Sequence, residues 1–203
     1  MDGSHTKKTF EANRYFDRHF EREAVKILPG EYYATKDGTL IVTVLGSCVS
    51  ACLQDRLSGV AGMNHFLLPT DSTYDPSAVI SESARYGVYA MELLINQMLK
   101  LGAKKENLEA KIFGGGNVLR GLSQNAVGER NAEFVVEYLQ AEHIPILASD
   151  LLDQYPRKVY LFSDTGEVKV RKLKSLHNST ILDRESEYRV KIKSVASGDV
   201  DLF

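Results

Sequence analysis

The stretch that decides the fold is Thr43–Pro69, which reads TVLGSCVSACLQDRLSGVAGMNHFLLP. Two runs rich in β-forming residues, 49–53 and 60–68, lie on either side of residues 54–59, which have the composition of a turn. An aspartate and a serine in this turn bond the local backbone, and Gly59 accepts a positive φ angle. The pattern predicts a β-hairpin.

The predicted hairpin brings a cysteine and a histidine together. In an antiparallel pair the numbers of opposed residues have a constant sum, and a turn centred on Arg56 and Leu57 places Cys48 opposite His65. Opposed side chains have Cβ atoms roughly 4.5–5.5 Å apart. A one-residue slip would turn His65 to the other face of the sheet, so the prediction depends on this register.

A thiol beside an imidazole is the arrangement of a cysteine nucleophile. A free thiol has a pKa of about 8.5, so the imidazole must take its proton to give a thiolate near neutral pH. Gly46 and Ser47 precede the cysteine, and small residues there let a substrate carbonyl approach backbone N–H groups that form an oxyanion hole. The alternative is structural, with a buried thiol next to a hydrogen-bonded core histidine.

Several strings of the sequence carry a resemblance to a known family. They are LGSCVSACLQD (45–55), GMNHFLLP (62–69), KIFGGGNVLRG (111–121), VGERNAEFVVEYL (127–139), YPRKVYLF (155–162) and TGEVKVRKL (165–173). Together they closely resemble the CheD-type chemoreceptor glutamine deamidases. The resemblance covers roughly residues 25–175, which is most of the chain.

The resemblance implies a small hydrolase of the papain-like Cys–His kind. Such enzymes convert particular glutamine side chains on methyl-accepting chemoreceptors to glutamate and release ammonia. Carried over position by position, the family nucleophile falls on Cys48, the general base on His65 and the third catalytic residue on Thr43. Thr43 also fits an ordinary β-branched strand residue. The family further implies a layered α/β sandwich and a CheC-type phosphatase as a partner.

Three glycines, 114–116, follow a predicted strand over 110–113. The lysine and hydroxyl residue of a P-loop and the dinucleotide-binding spacing are both absent from the sequence, which disfavours a nucleotide site. Gly115 is predicted instead to lie near the active cysteine and to line the site. Cys48, Cys52 and His65 give three metal ligands where a structural zinc needs four, so we predict neither a metal nor a cofactor.

The composition is that of an ordinary globular protein. The 203 residues are enough to bury a core, and the hydrophobic fraction of 43% and charged fraction of 26% are typical. A net charge of −2 gives no bulk attraction to nucleic acid or anionic membranes, and no apolar run reaches the ~20 residues that span a bilayer. With two cysteines and no secretion signal, we expect a cytoplasmic protein without disulfides.

Strands and helices alternate with hairpins, which predicts a layered α/β (α+β) sandwich with a mixed β-sheet and two main helices. The helices are expected from position 81 or 83 to 100 and over 125–142. We divide the chain into a charged N-terminal extension (1–24), a CheD-like domain (25–175) and a C-terminal extension (176–203). A short helix is expected around 15–20 and an amphipathic helix over 178–192.

A non-enzymatic function fits the same residues. The domain would then be a chemotaxis adaptor that binds receptors or a CheC-type phosphatase, with Cys48 as a vestige. Labelling with iodoacetamide separates the two hypotheses, because an activated Cys48 should react much faster than Cys52. Equal, slow labelling of both cysteines would favour the adaptor.

Overall fold

The computed structural model describes residues 13–69, 82–117, 125–173, 183–188 and 190. The strands are β1 (Asn13–Asp17), β2 (Arg22–Lys26), β3 (Tyr32–Thr35), β4 (Leu40–Leu45), β5 (Val49–Asp55), β6 (Val60–Asn64), β7 (Leu108–Gly114), β8 (Ile146–Leu151), β9 (Arg157–Phe162) and β10 (Val168–Lys172). The two long helices are α1 (Glu82–Lys100) and α2 (Asn125–Ala141). A single 3-10 turn spans Lys105–Asn107, and residues 183–188 are helical.

The strands form two mixed five-stranded sheets. Sheet A has the order β1-β2-β4-β9-β10, and sheet B has the order β3-β6-β5-β7-β8. Each sheet contains one parallel pair, β2 with β4 in sheet A and β7 with β8 in sheet B, while the other pairs are antiparallel. This architecture confirms the predicted layered α+β sandwich with hairpins and two main helices.

Sheet B is the middle layer, between sheet A and the two helices. One core cluster joins residues of sheet B to apolar residues of α1 and α2, and a second joins residues of both sheets. β5 lies at the centre of sheet B, and all seven of its residues are buried. Its side chains alternate between the two clusters, so that Val49 and Ala51 face the helices while Cys52 faces sheet A.

The predicted hairpin forms, but its register differs from the expected one. Val49 bridges to Phe66, so the prediction that Cys48 lies directly opposite His65 is wrong. The two residues are diagonal neighbours instead, a relation in which Cβ atoms are roughly 7–8 Å apart and long side chains still meet. Because the shift is two residues, both side chains stay on the same face of the sheet.

The hairpin loop explains the shift. Asp55 is the last residue of β5, and its Oδ1 accepts hydrogen bonds from the N–H of Leu57 (2.9 Å) and Ser58 (3.1 Å). Gly59 then takes a φ of 73° and donates its N–H to the Asp55 carbonyl. The resulting four-residue loop is centred one position later than the sequence predicted, and each such step moves the pairing by two residues.

The described N-terminal part of the chain is sheet and not helix. Tyr15 lies in β1, and the prediction of a short helix around 15–20 is wrong. Asp17 accepts hydrogen bonds on Oδ1 from the N–H of His19 and Phe20, which turns the chain back into β2. Tyr15 and Phe20 pack on the outer face of sheet A and so bury apolar surface without a helix, while Phe16 is exposed.

The helix predictions agree better with the structure. Both long helices have the expected positions, and the described residues 183–188 are helical inside the stretch 178–192. The predicted division of the chain into 1–24, 25–175 and 176–203 stays a prediction.

Candidate active site

Cys48 lies on the short connection between the two sheets. β4 ends at Leu45 in sheet A and β5 begins at Val49 in sheet B, so residues 46–48 cross from one sheet to the other. The cysteine is fully buried in the core between the sheets. Because residues 46–48 belong to neither strand, their N–H groups are not used in a sheet ladder.

His65 directly follows β6 of sheet B and is held from sheet A. The hydroxyl of Thr43, on β4, lies 2.7 Å from His65 Nδ1. The same hydroxyl donates its single hydrogen to the carbonyl of Ile27 at 2.9 Å. It therefore accepts toward the imidazole, and Nδ1 is the nitrogen that carries the proton. Thr43 fixes one tautomer of His65 and joins the two sheets at the site.

This tautomer leaves the other imidazole nitrogen, Nε2, as a bare lone pair. Among the described residues, nothing forms a hydrogen bond with the buried Nε2 of His65. Burial lowers the pKa of His65 from 6.5 to about 3, so the ring is neutral at pH 7. A neutral imidazole with an unoccupied Nε2 is the form that accepts a proton from a thiol.

Three glycines at the end of β7 and directly after it, 114–116, lie against residues 46–48, the cysteine loop. Gly114 pairs with Val49, and at its φ of 115° a Cβ would lie 2.1 Å from the Cys48 carbonyl oxygen. Gly115 donates its N–H to the same carbonyl at 2.8 Å, and Gly116 donates to the Gly46 carbonyl. The proposed closeness of Gly115 to the cysteine is thus a backbone contact, and its role in lining the site stays a prediction.

Asn131 of α2 ties the cysteine loop to the chain that follows His65. Its Nδ2 donates to the Ser47 carbonyl at 2.8 Å, and its Oδ1 accepts from the N–H of Leu68 at 2.9 Å. The side chain is fully buried, so both bonds are protected from water. Asn131 therefore sets the separation between the segments that carry Cys48 and His65.

A carboxylate from the C-terminal helical segment lies against the same loop. Glu185 Oε1 accepts hydrogen bonds from the N–H of Ser47 (2.9 Å), Gly46 (3.2 Å) and Cys48 (3.3 Å). Its other oxygen, Oε2, accepts from the Ser47 hydroxyl at 2.5 Å. Three backbone donors thus converge on one carboxylate oxygen, which is the geometry of an oxyanion hole.

Comparison with known proteins identifies the family of this chain. A model of the family described as CheD chemotactic sensory transduction matches residues 67–172. The chain is 68% identical to the "Probable chemoreceptor glutamine deamidase CheD 1" of Shewanella oneidensis, over 95% of this chain and 94% of that protein. The chain belongs to the CheD family. The resemblance in the quoted strings is therefore confirmed.

Other relatives match the chain over nearly its whole length. The "Probable chemoreceptor glutamine deamidase CheD" of Thiobacillus denitrificans is 60% identical over 94% of this chain and 95% of the relative. A Janthinobacterium protein of the same name is 59% identical over 98% of both chains. The prediction of an enzyme that acts on side-chain amides agrees with these names.

In this CheD family member the second cysteine has a different environment. Cys52 lies in the middle of β5, and burial raises the pKa of its thiol from 9.0 to about 12.

Within the described residues, no three His, Cys, Asp or Glu side chains are grouped so that they could hold a metal ion. In the same part of the chain, none of the helices combines the length and apolarity that crossing a bilayer requires.

The sequence predicted part of this CheD site and missed part of it. Five of the predicted site residues lie where the two sheets meet: Thr43, Gly46, Ser47, Cys48 and His65. Two further residues, Asn131 and Glu185, contact the cysteine loop and were not predicted. Asn131 lies in one of the quoted strings, but nothing in its spacing indicates a contact 84 positions away. Glu185 has no sequence signal at all, since it is one glutamate in a charged stretch.

Proposed function

We propose that this protein is a cysteine-dependent deamidase that converts glutamine side chains of chemoreceptors to glutamate. The observation that carries the proposal is the convergence of three backbone N–H groups on one oxygen beside a thiol, next to a histidine of fixed tautomer. The names of the relatives supply the substrate class. The Cys–His mechanism and the roles of individual residues are part of the proposal.

The first half of the reaction forms a thioester. His65 Nε2 takes the proton of the Cys48 thiol, and the thiolate attacks the side-chain carbonyl carbon of the glutamine. The carbonyl oxygen becomes an oxyanion held by the N–H groups of residues 46–48. The imidazolium then gives its proton to the amide nitrogen, the carbon–nitrogen bond breaks and ammonia leaves. Thr43 keeps Nδ1 protonated throughout and so acts through His65.

The second half of the reaction regenerates the enzyme. His65 Nε2 takes a proton from water, and the resulting hydroxide attacks the thioester carbon. The same donors hold the second oxyanion, the carbon–sulfur bond breaks and Cys48 leaves as a thiolate. The imidazolium returns its proton to the sulfur, and the glutamic acid product releases its remaining proton to water and becomes a carboxylate. The amide carbon is electrophilic enough once its oxygen is stabilised, so the mechanism uses no cofactor.

The test is mass spectrometry on a chemoreceptor cytoplasmic fragment incubated with the wild type, with Cys48→Ala and with Cys52→Ala. We expect the wild type and Cys52→Ala to convert defined glutamines to glutamates and Cys48→Ala to convert none. Cys52→Ala is the matched control because it removes a second buried thiol, four residues further along the chain and inside β5. Conversion by Cys48→Ala at the wild-type rate would contradict the proposal.

The proposal leaves the partner and the location of the protein to separate experiments. A CheC-type phosphatase as a competing partner and a cytoplasmic location both stay predictions. If no variant changes the receptor but the receptor binds the protein in a pull-down, the adaptor function replaces the enzymatic one.

A further inference from the structure

The carboxylate of Glu185 occupies the place that the proposed mechanism gives to the oxygen of the substrate. Its Oε1 takes the N–H groups of Gly46, Ser47 and Cys48, which are the proposed oxyanion donors. A glutamate carboxylate is also the product of glutamine deamidation. We infer that the helical segment 183–188 is a tethered product analogue, which closes the active site until a receptor glutamine displaces it. This inference rests on the proposed function.

A second side chain anchors the same segment over the thiol. Tyr188 lies three residues after Glu185, so both side chains project from one face of the helix. Its hydroxyl forms a hydrogen bond with that of Tyr86 on α1. Its ring lies against Gly30, where a Cβ would come within 2.4 Å of the Tyr188 hydroxyl. The segment is therefore held by a carboxylate at one end and by an aromatic ring at the other.

The position of this ring relates the segment to Cys48 directly. Burial is the main reason that the pKa of Tyr188 is raised, the neighbouring Tyr86 adds to the rise, and the nearby Cys48 thiol adds further. The pKa of Tyr86 is raised by burial as well, with a smaller contribution from the same thiol. Tyr188 packs against the core cluster that contains Cys48, and Tyr86 contacts Tyr188, so both phenols belong to the surroundings of the cysteine.

The carboxylate inhibits the chemistry by occupying the site of the substrate oxygen. It fills the donors that a substrate oxygen needs, and it does so with charge-assisted hydrogen bonds that a neutral amide cannot equal. A receptor must therefore displace it through additional contacts, and a glutamine on the surface of a helix fits the approach that this helical segment already uses.

The first test measures access to Cys48 without any receptor. We expect Glu185→Ala to raise the rate of Cys48 alkylation by iodoacetamide at least about tenfold, because reactivity scales with the fraction of open molecules. The matched control is Glu187→Ala, which removes the same charge from an exposed position of the same segment and should label at the wild-type rate. Equal labelling of Glu185→Ala and Glu187→Ala would overturn the inference.

The second test uses the enzyme's own chemistry. Glu185→Gln places a side-chain amide against the donors of the cysteine loop, where Cys48 attacks it, ammonia leaves and water restores a carboxylate. We expect peptide mass spectrometry to show glutamate at position 185 in this variant and an intact amide in the double variant with Cys48→Ala. The conversion should not depend on protein concentration, because the substrate is in the same chain. An amide that persists in the single variant would contradict the product-analogue assignment.

The outcomes separate this inference from the proposed function. Faster labelling of Glu185→Ala with no receptor deamidation by any variant keeps the closing segment and removes the deamidase. Receptor deamidation by the wild type, together with unchanged labelling and unchanged turnover in Glu185→Ala, keeps the deamidase and removes the closing segment. Slower receptor turnover in Glu185→Ala, with no gain in labelling, would make Glu185 a structural support for the loop and would also overturn the inference.

Discussion

The two ends of β5 differ in how their backbone is used. At the hairpin end, Cys52 and Asp55 lie in the ladder between β6 and β7, and each has a partner on both sides. At the other end, residues 46–48 cross from sheet A to sheet B and belong to no strand, so their backbone forms no sheet hydrogen bonds. Their N–H groups converge instead on the carboxylate of Glu185.

This difference explains why one cysteine is a candidate nucleophile and the other is a packing residue. Both thiols are buried and lie in the same core cluster between the sheets. Burial alone raises the pKa of Cys52 to about 12 and makes it inert. Cys48 has, in addition, donors for an oxyanion and a histidine of fixed tautomer on the neighbouring segment. The crossing between sheets provides both, because there the chain passes from β4 to β5 beside the segment that follows β6.

The largest expected effect is the contrast between the two thiols themselves. Cys48→Ala should lower receptor deamidation by roughly 10⁴-fold or more, because the reaction loses its nucleophile. Cys52→Ala should keep activity within a few-fold and lower the midpoint of thermal unfolding slightly, since it removes only buried surface. Steady-state assays with circular dichroism melts measure both. Equal loss in the two variants would remove the distinction between the ends of the strand.

The next effect concerns the histidine and its threonine. His65→Ala should lower turnover by about 10²–10⁴-fold, the usual contribution of a general acid and base. Thr43→Val keeps the shape of the side chain but releases Nδ1, so a smaller loss of about tenfold is expected. Thr43→Ser should restore most of the activity, because it supplies the same hydroxyl to His65 and Ile27. Full activity in Thr43→Val would return Thr43 to the role of a strand residue.

The sequence predicted the hairpin end of β5 better than the cysteine end. Turn composition at 54–59 indicated the reversal, because local hydrogen bonds of Asp55 decide it. The register was wrong because the same local bonds determine how many residues the loop contains, and composition does not show that number. Cys48 and His65 stay on the same face of the hairpin despite this error, since a shift of two residues preserves the face of a strand.

The contacts that complete the cysteine end were beyond prediction from sequence. Asn131 bonds the Ser47 carbonyl from α2, and Glu185 bonds the same loop from a position 138 residues later than Ser47. Such contacts depend on how separate layers pack, and neither periodicity nor composition carries that information. The helix predicted around 15–20 is wrong for the same reason, because the outer face of sheet A accommodates Tyr15 in a strand and Phe20 in a turn.

Alanine substitutions at two glycines, one beside each end of β5, are expected to change the stability of the protein by different amounts. Gly114, opposite Val49, leaves no space for a side chain, because a Cβ would lie 2.1 Å from the Cys48 carbonyl oxygen. Gly59, in the hairpin loop, has a φ of 73° but nothing within 4 Å of the place of a Cβ. Gly114→Ala should therefore lower the free energy of unfolding by about 3 kcal/mol or more. Gly59→Ala should cost about 1–2 kcal/mol, which is the backbone strain alone.

Urea unfolding of the two alanine variants at pH 7 checks this ordering. A second consequence separates them further, because Gly114→Ala displaces the carbonyl that Gly115 holds and so disturbs the cysteine loop. Gly114→Ala should lose deamidase activity even under conditions where it remains folded, while Gly59→Ala should retain it. If the two variants lost equal stability and kept equal activity, the close packing against Cys48 would have no energetic weight.

The smallest expected effect is on the pH dependence of the free energy of unfolding, to which His65 at the cysteine end of β5 and Asp55 at the hairpin end contribute differently. His65 has a pKa lowered by burial from 6.5 to about 3, so between these values the unfolded chain binds more protons than the folded one. The free energy of unfolding should therefore fall as the pH drops below 6.5, by up to about 2 kcal/mol at pH 5. The pKa of Asp55 is affected first by burial, which raises it, but hydrogen bonds from Lys104, Ser58 and Leu57 outweigh burial and lower it from 3.8.

The stability that Asp55 contributes is therefore fully present above its unfolded pKa and is lost only as the pH falls below about 4. Urea unfolding at pH 7 and pH 5 of the wild type, His65→Gln and Asp55→Asn separates the two contributions. His65→Gln should lose less stability than the wild type over this interval, because the buried imidazole no longer excludes a proton. Asp55→Asn should be destabilised by a similar amount at both pH values. A wild-type loss that His65→Gln leaves unchanged would mean that His65 binds protons equally in the folded and the unfolded chain, and it would contradict the neutral imidazole at the cysteine end.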